Sequence, residues 1–249
     1  MTNATENTLE NHVQTIAVTS RPGPAVLDRE AYAHLTETLR HSADNADVRV
    51  VVLRGFNGCF CKGGDLSEFL DKTKHGLLIS TVTDLFRTLA EFPKPLIASV
   101  DGDAIGVGCT LLFHCDMVFA SERSTFRVPF VDFGLIPDAA TSMLAPQRMG
   151  YANAFRFFCL GDTLDASAAL SCSIISDLVH SNDIAGRVAA TARQLARKPQ
   201  HSLLQTRGLL RGDRSGLKGR IDHEIALFRC ALQDEGTMRR LSRIARLAA

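Results

Sequence analysis

Two apolar runs in this chain are each followed at short range by a glycine turn and then by a helical pattern, and this pairing limits the possible architecture most. Residues 48–53 form a valine-rich, β-branched stretch broken only by Arg49 and closed by Leu53, and Phe60-Cys61-Lys62-Gly63-Gly64-Asp65-Leu66 follows after a short loop. Residues 95–100 form the second run, followed by Asp101-Gly102-Asp103-Ala104-Ile105-Gly106-Val107-Gly108-Cys109. A strand that is apolar at nearly every position is covered on both faces, as in a parallel sheet. Around these runs, residues 13–19 alternate like a strand. Residues 28–44 carry helical spacing through Tyr32, Leu35 and Leu39, and residues 76–92 do so through Leu85, Phe86 and Leu89. Residues 106–114 read as a helix and 117–120 as a strand. This β-α-β-α order predicts an α/β core.

From Asp138 onward the spacing is almost wholly helical, over 141–149, 152–160, 165–171, 183–198, 203–210, 217–232 and 235–247. The organisation expected is a polar leader over 1–12, a core domain over 13–195 and a C-terminal helical region over 196–249. With 249 residues, 45% of them hydrophobic, one such domain can bury a large core without disulfides.

Several classes of function are disfavoured. A formal net charge of +1 creates no field that selects nucleic acid or a membrane surface. No apolar run approaches the roughly 18 residues of a spanning helix. Residues 1–12 lack the basic start and apolar stretch of a signal peptide, so a cytoplasmic location is expected. The seven cysteines form no C-x-x-C pair and no zinc-ligand spacing, and read as reduced thiols. The cysteines read as buried small hydrophobes, with Cys61, before its Gly-Gly turn, the one whose position allows exposure. Basic residues such as Arg207, Arg211, Arg214 and Lys218 gather in the last third of the chain. A solvated helix face is the plainer reading, and a site for an anionic ligand or subunit partner the sharper one.

The glycine turns carry the chemistry. Each puts exposed N–H groups where a strand gives way to a helix, a setting that favours negative charge. Two such groups converging on one point would form an oxyanion hole. Gly106-Val107-Gly108 is not a dinucleotide turn, because Leu111 stands where the third glycine would fall.

In order and spacing, these blocks resemble the crotonase, or enoyl-CoA hydratase/isomerase, superfamily. The blocks are residues 47–55, the turn 60–66, the strand Phe92-Pro93-Lys94-Pro95-Leu96-Ile97-Ala98-Ser99-Val100, the glycine helix 106–116 ending in Cys115-Asp116, and the segment 126–137. The resemblance implies a spiral of repeated β-β-α turns with a C-terminal helical trimerisation region. It implies a homotrimer or dimer of trimers, an acyl-CoA substrate, and no cofactor or metal beyond the CoA of the substrate. It also implies that the N–H groups of Gly64 and Val107 stabilise a thioester enolate. Lys62 and Leu66 would lie along the CoA, with Thr110 and Phe130 on the substrate. The family's C-terminal F-x-E-K-R pattern is absent from 241–249, and Arg21-Pro22 is followed by no N-A-L.

Hydration in this family uses two glutamates, at positions occupied here by Thr110 and Phe130. Efficient hydration is therefore not expected. The remaining acid at a matching position is Asp138, after Gly134-Leu135-Ile136-Pro137, similar to the branch of Δ3,Δ2-enoyl-CoA isomerases. One carboxylate in a dry pocket suits a proton shuttle between C2 and C4. A helix N-cap is the competing role for Asp138. Asp132 is the reserve acid, and Asp103 a weaker one. Asp65 and Asp101 read as turn formers, Asp116 as a capping or paired acid, and His114 as a core histidine. The alternatives are a hydratase or lyase of unusual site and a catalytically silent acyl-CoA-binding homologue. More distant is an aryl-CoA dehalogenase with Asp138 attacking a ring, since His75 lies too early for that branch's histidine and Phe130 stands where its Trp would.

Overall fold

The structure, a computed structural model, describes residues 7–19, 25–56 and 58–248. Arg21 and Pro22 lie outside them. In chain order the strands are β1 (Thr8–Glu10), β2 (Val13–Ala17), β3 (Val50–Arg54), β4 (Cys59–Cys61), β5 (Leu96–Val100), β6 (Asp103–Ile105), β7 (Met117–Ser121), β8 (Thr125–Arg127), β9 (Leu164–Asp165) and β10 (Asp177–Val179). The helices are α1 (Arg29–Asp44), α2 (Leu66–Leu70), α3 (His75–Glu91), α4 (Val107–Thr110), α5 (Phe130–Phe133), α6 (Thr141–Met149), α7 (Tyr151–Phe155), α8 (Ala166–Ser171), α9 (Ile184–Ala196), α10 (Gln200–Arg211), α11 (Leu217–Gln233) and α12 (Glu235–Ala248).

A larger sheet runs β1-β2-β3-β5-β7-β10, parallel except for the β1–β2 hairpin. The continuous apolar run of β3 has a direct cause. Val51 and Leu53 point into the main core with Ile16, Ala98 and Val118, while Val50 and Val52 face Val188 and Ala192 of α9. Both faces are dry along Val50–Leu53, so these four positions are apolar, and the first charged residue, Arg54, comes only where burial ends. Residues 8–10 were expected in a loose leader but form β1. Positive φ at Asn11 and His12 makes the tight two-residue turn that folds them back onto β2.

The smaller sheet, β4-β6-β8-β9, is the part that sequence patterning does not show. Its strands are two or three residues long and three of them sit at or beside turns, too short to display a period. The two sheets alternate along the chain. β3, β5 and β7 lie in the large sheet, β4, β6 and β8 in the small one, and α2, α4 and α5 follow in turn. This is the expected spiral of β-β-α units. The expected helix over 106–114 splits into α4 and a 3₁₀ turn, Leu111–His114. The C-terminal helices fold back over the core, α11 on α3 and α12 on α2 and α5. No described helix is long and apolar enough to cross a membrane.

Candidate active site

β4 and β6 lie side by side and parallel, with Cys59 opposite Asp103 and Cys61 opposite Ala104. Both glycine turns therefore leave the same end of one small sheet. They pack so closely that a Cβ on Gly108 would stand 2.5 Å from the Cys61 carbonyl oxygen, and one on Gly106 3.7 Å from the Gly63 Cα. Gly64 bridges Leu27 in parallel, through Leu27 N–H to Gly63 O at 2.8 Å and Asp65 N–H to Leu27 O at 2.9 Å. In such a bridge the middle residue's own N–H points away from the partner strand. The Gly64 N–H accordingly has no acceptor among the described residues. The Val107 N–H, first of α4, likewise has none, as expected at a helix start. Two free donors on adjoining turns are the raw material of an oxyanion hole.

Asp138 reaches this region through α4. Thr110, one helical turn after Val107, donates its hydroxyl to Asp138 Oδ1 at 2.7 Å. Asp138 is 7% exposed. Burial pushes its carboxyl up to about 7, with the charge of Glu224 adding to the rise and the Thr110 hydrogen bond opposing it. A carboxylate with that value is a serviceable base near neutral pH.

The N-cap role falls to other atoms. The residue preceding α6 is Ala140, in the left-handed region at φ 57°, as is Ala139 at φ 58°. The free N–H groups at this helix start are met by a side chain from α11. Glu224 accepts from Ala140 N–H at 2.6 Å, Ser142 N–H at 3.0 Å and the Ser142 hydroxyl at 2.5 Å. Glu224 is the residue that sequence reasoning missed. It lies more than 80 positions away from its partners, and nothing local marks a buried glutamate on an amphipathic helix as a cap. His114 pins the other side of the loop, its Nε2–H donating to Ala139 O at 2.8 Å. Its ring is wholly buried and held neutral, its pKa pushed down to about 3 by burial.

Tyr32 was expected only as a core residue of α1, but it borders the site. A Cβ on Gly64 would stand 3.0 Å from its hydroxyl and 2.8 Å from Phe69 Cε2. Burial, with the Asp138 charge second, holds the phenol well above its usual range, so it is a proton-bearing donor. Phe69 meets Phe228 edge to face, with centroids 5.9 Å apart. Phe228 is one turn beyond Glu224 on α11, so one helix face supplies both an apolar wall and the cap of the Asp138 loop.

The other expected residues fall as follows. Lys62 is exposed, with Nζ 4.0 Å from Asp103. Leu66 is half-buried at the start of α2, whose N-cap is Asp65. Phe130 is buried in the main core cluster. Asp103 accepts from the Thr125 hydroxyl at 2.7 Å. Asp132 does not turn inward: it is exposed and paired with Arg127 at 3.0 Å. Cys61 is not exposed either. It is fully buried against the opposing turn, and burial raises its thiol to about 12.

The enoyl-CoA hydratase/isomerase family model matches residues 9–235. The chain belongs to that family. Among similar family members is 1,2-epoxyphenylacetyl-CoA isomerase of Escherichia coli (strain K12), 33% identical over 180 residues, 70% of this chain and 69% of that protein. Enoyl-CoA delta isomerase 2 of Rattus norvegicus is 29% identical over 177 residues, 68% of this chain and 45% of that protein. The chain spans 32% of the length of the first curated relatives it matches. The solved enoyl-CoA hydratase/isomerase from Pseudoalteromonas atlantica T6c superposes with a TM-score of 0.88 at 30% identity, covering 95% of this chain and 94% of that one. The family's crotonase fold is thus shared along nearly the whole chain.

Proposed function

We propose that this chain is an acyl-CoA enzyme that moves the double bond of a 3-enoyl-CoA to the 2-position. The observation that carries the reading is the buried Asp138 carboxylate, raised to about 7 and joined through Thr110 to the helix that begins with the Val107 donor. In this reading the thioester oxygen lies between the Gly64 and Val107 N–H groups. Asp138 takes a proton from C2, the C3–C4 double bond becomes C2–C3 through the enolate, and the same proton returns at C4. One base suffices and no water takes part. That agrees with Thr110 and Phe130 at the positions where hydration places carboxylates. Each donor of an oxyanion hole typically lowers the barrier by about 2.7–4 kcal/mol.

The CoA moiety would run past Lys62 and Leu66, and the apolar wall of Phe69 and Phe228 would face the acyl chain. Neither metal nor redox cofactor enters this scheme. A homotrimer or dimer of trimers, and a cytoplasmic setting in which all seven thiols stay reduced, complete the proposal.

The test is a side-by-side assay of purified protein on a 3-enoyl-CoA and a 2-enoyl-CoA of equal chain length. Appearance of the conjugated thioester from the first, with negligible water addition to the second, is expected. Brisk hydration of the second substrate would overturn the isomerase reading, and binding without turnover of either would favour a silent acyl-CoA binder.

A further inference from the structure

At the far end of the helical segment that starts at Val107, a cavity of about 460 Å³ opens between α10, α6 and Pro95, just before β5. Its volume is in the range of small-molecule pockets, roughly 300–1,000 Å³. Four guanidinium groups line it, from Arg148, Arg207, Arg211 and Arg214, against one carboxylate, Asp116. Both oxygens of Asp116 are already engaged. It accepts from Arg207 Nε at 2.8 Å, Arg211 Nε at 3.0 Å and Leu96 N–H at 2.8 Å. Arg148 is committed to the carbonyls of Leu112 and Cys115, and Arg211 Nη2 to that of His114. Buried and without acceptors are Arg207 Nη2 and Arg214 Nη1, and the Arg214 side chain makes no hydrogen bond or ion pair among the described residues. Three positive charges in excess within a half-enclosed cavity are costly unless an anion joins them.

A second observation narrows the anion. His114 also lines the cavity, and its Nδ1 is buried with no partner. Because Nε2–H donates to Ala139 O, Nδ1 is the acceptor of this neutral ring. The cavity thus offers unpaired guanidinium donors and one unpaired acceptor. We infer that it binds a phosphoryl oxyanion that still carries a hydrogen, its oxygens taken by Arg207 and Arg214 and its O–H by His114. Through His114 the anion would rest one residue from Asp138, on the carbonyl that anchors that loop.

Thermal unfolding and equilibrium dialysis test this with inorganic phosphate, sulfate, and potassium chloride at matched ionic strength. Millimolar phosphate is expected to raise Tm by about 2–4 °C beyond chloride. Sulfate, which has no hydrogen at neutral pH, is expected to do less. Arg214→Gln is expected to fold as well as the parent without phosphate, since it removes an unpaired cation, and to weaken phosphate binding by about 10–100-fold. The exposed Arg40→Gln should leave binding unchanged. Adding CoA separates two sources of the same group. Phosphate binding that persists beside CoA assigns the site to free phosphate, and competition assigns it to a phosphate of CoA. Equal stabilisation by chloride or sulfate, or phosphate binding unaffected by Arg214→Gln, overturns the inference.

Discussion

Thr110 donates its hydroxyl to Asp138 across 2.7 Å, and this bond joins the helix turn that begins at the Val107 donor to a buried carboxyl of the site. A hydrogen bond to the charged form of a carboxylate favours that form. Thr110→Val removes it while nearly keeping shape. A bond to a charged group contributes about 1.5–3 kcal/mol, so the acid limb of the pH–rate profile should move up by about one to two pH units. Rate measured against pH for the two proteins checks this, and an unmoved limb would separate Thr110 from the base.

Glu224 acts in the opposite direction. Its charge helps to raise Asp138, and its oxygens hold the Ala140 and Ser142 N–H groups. Glu224→Gln should therefore lower the pH midpoint of activity. Glu224→Ala leaves the start of α6 uncapped and should destabilise the protein by about 2–4 kcal/mol. Urea unfolding of both variants measures the second effect separately from the first.

Stability should also depend on pH through Asp138. Its folded value, about 7, lies above its ordinary value of 3.8. Between those limits the folded state binds the extra proton, so stability is greatest below about pH 4 as far as this group is concerned. It falls as pH rises towards 7 and is level above. The gap corresponds to at most about 4 kcal/mol. Asp138→Asn removes the dependence, so its stability gain over the parent should grow from pH 5 to pH 8. Unfolding curves at the two values check the sign.

Gly108→Ala probes the contact between the two turns. The new methyl would stand 2.5 Å from Cys61 O and 2.6 Å from Cys61 Cβ, atoms fixed in β4. The turns must part, which separates the two donors. A loss of about 1–3 kcal/mol in stability is expected. A larger loss of turnover should accompany it, visible as a fall in kcat rather than a rise in KM.

What the sequence disclosed was whatever leaves a local imprint. The dry run of β3, the helical spacing of α1 and α3 and the two glycine turns are written in consecutive residues, and Asp138 is marked by the Gly134–Pro137 segment before it. Strands as short as β4 and β6 show no period, although they are what bring Gly64 and Val107 together. Glu224 and Tyr32 contribute through contacts made by elements far apart in the chain. Asp132, the reserve acid after Pro129, is held at the surface by Arg127, a partner that its own neighbourhood in sequence does not single out.

The central claim is that Asp138 is the base, and kcat for 3-enoyl-CoA isomerisation by Asp138→Asn beside the parent tests it most directly. Loss of a positioned general base typically costs about 10²–10⁴ in rate. The account predicts a fall of that size, together with loss of a rate increase centred near pH 7, in a variant that folds at least as stably as the parent. Turnover that keeps both its rate and its pH dependence without the carboxylate would contradict it.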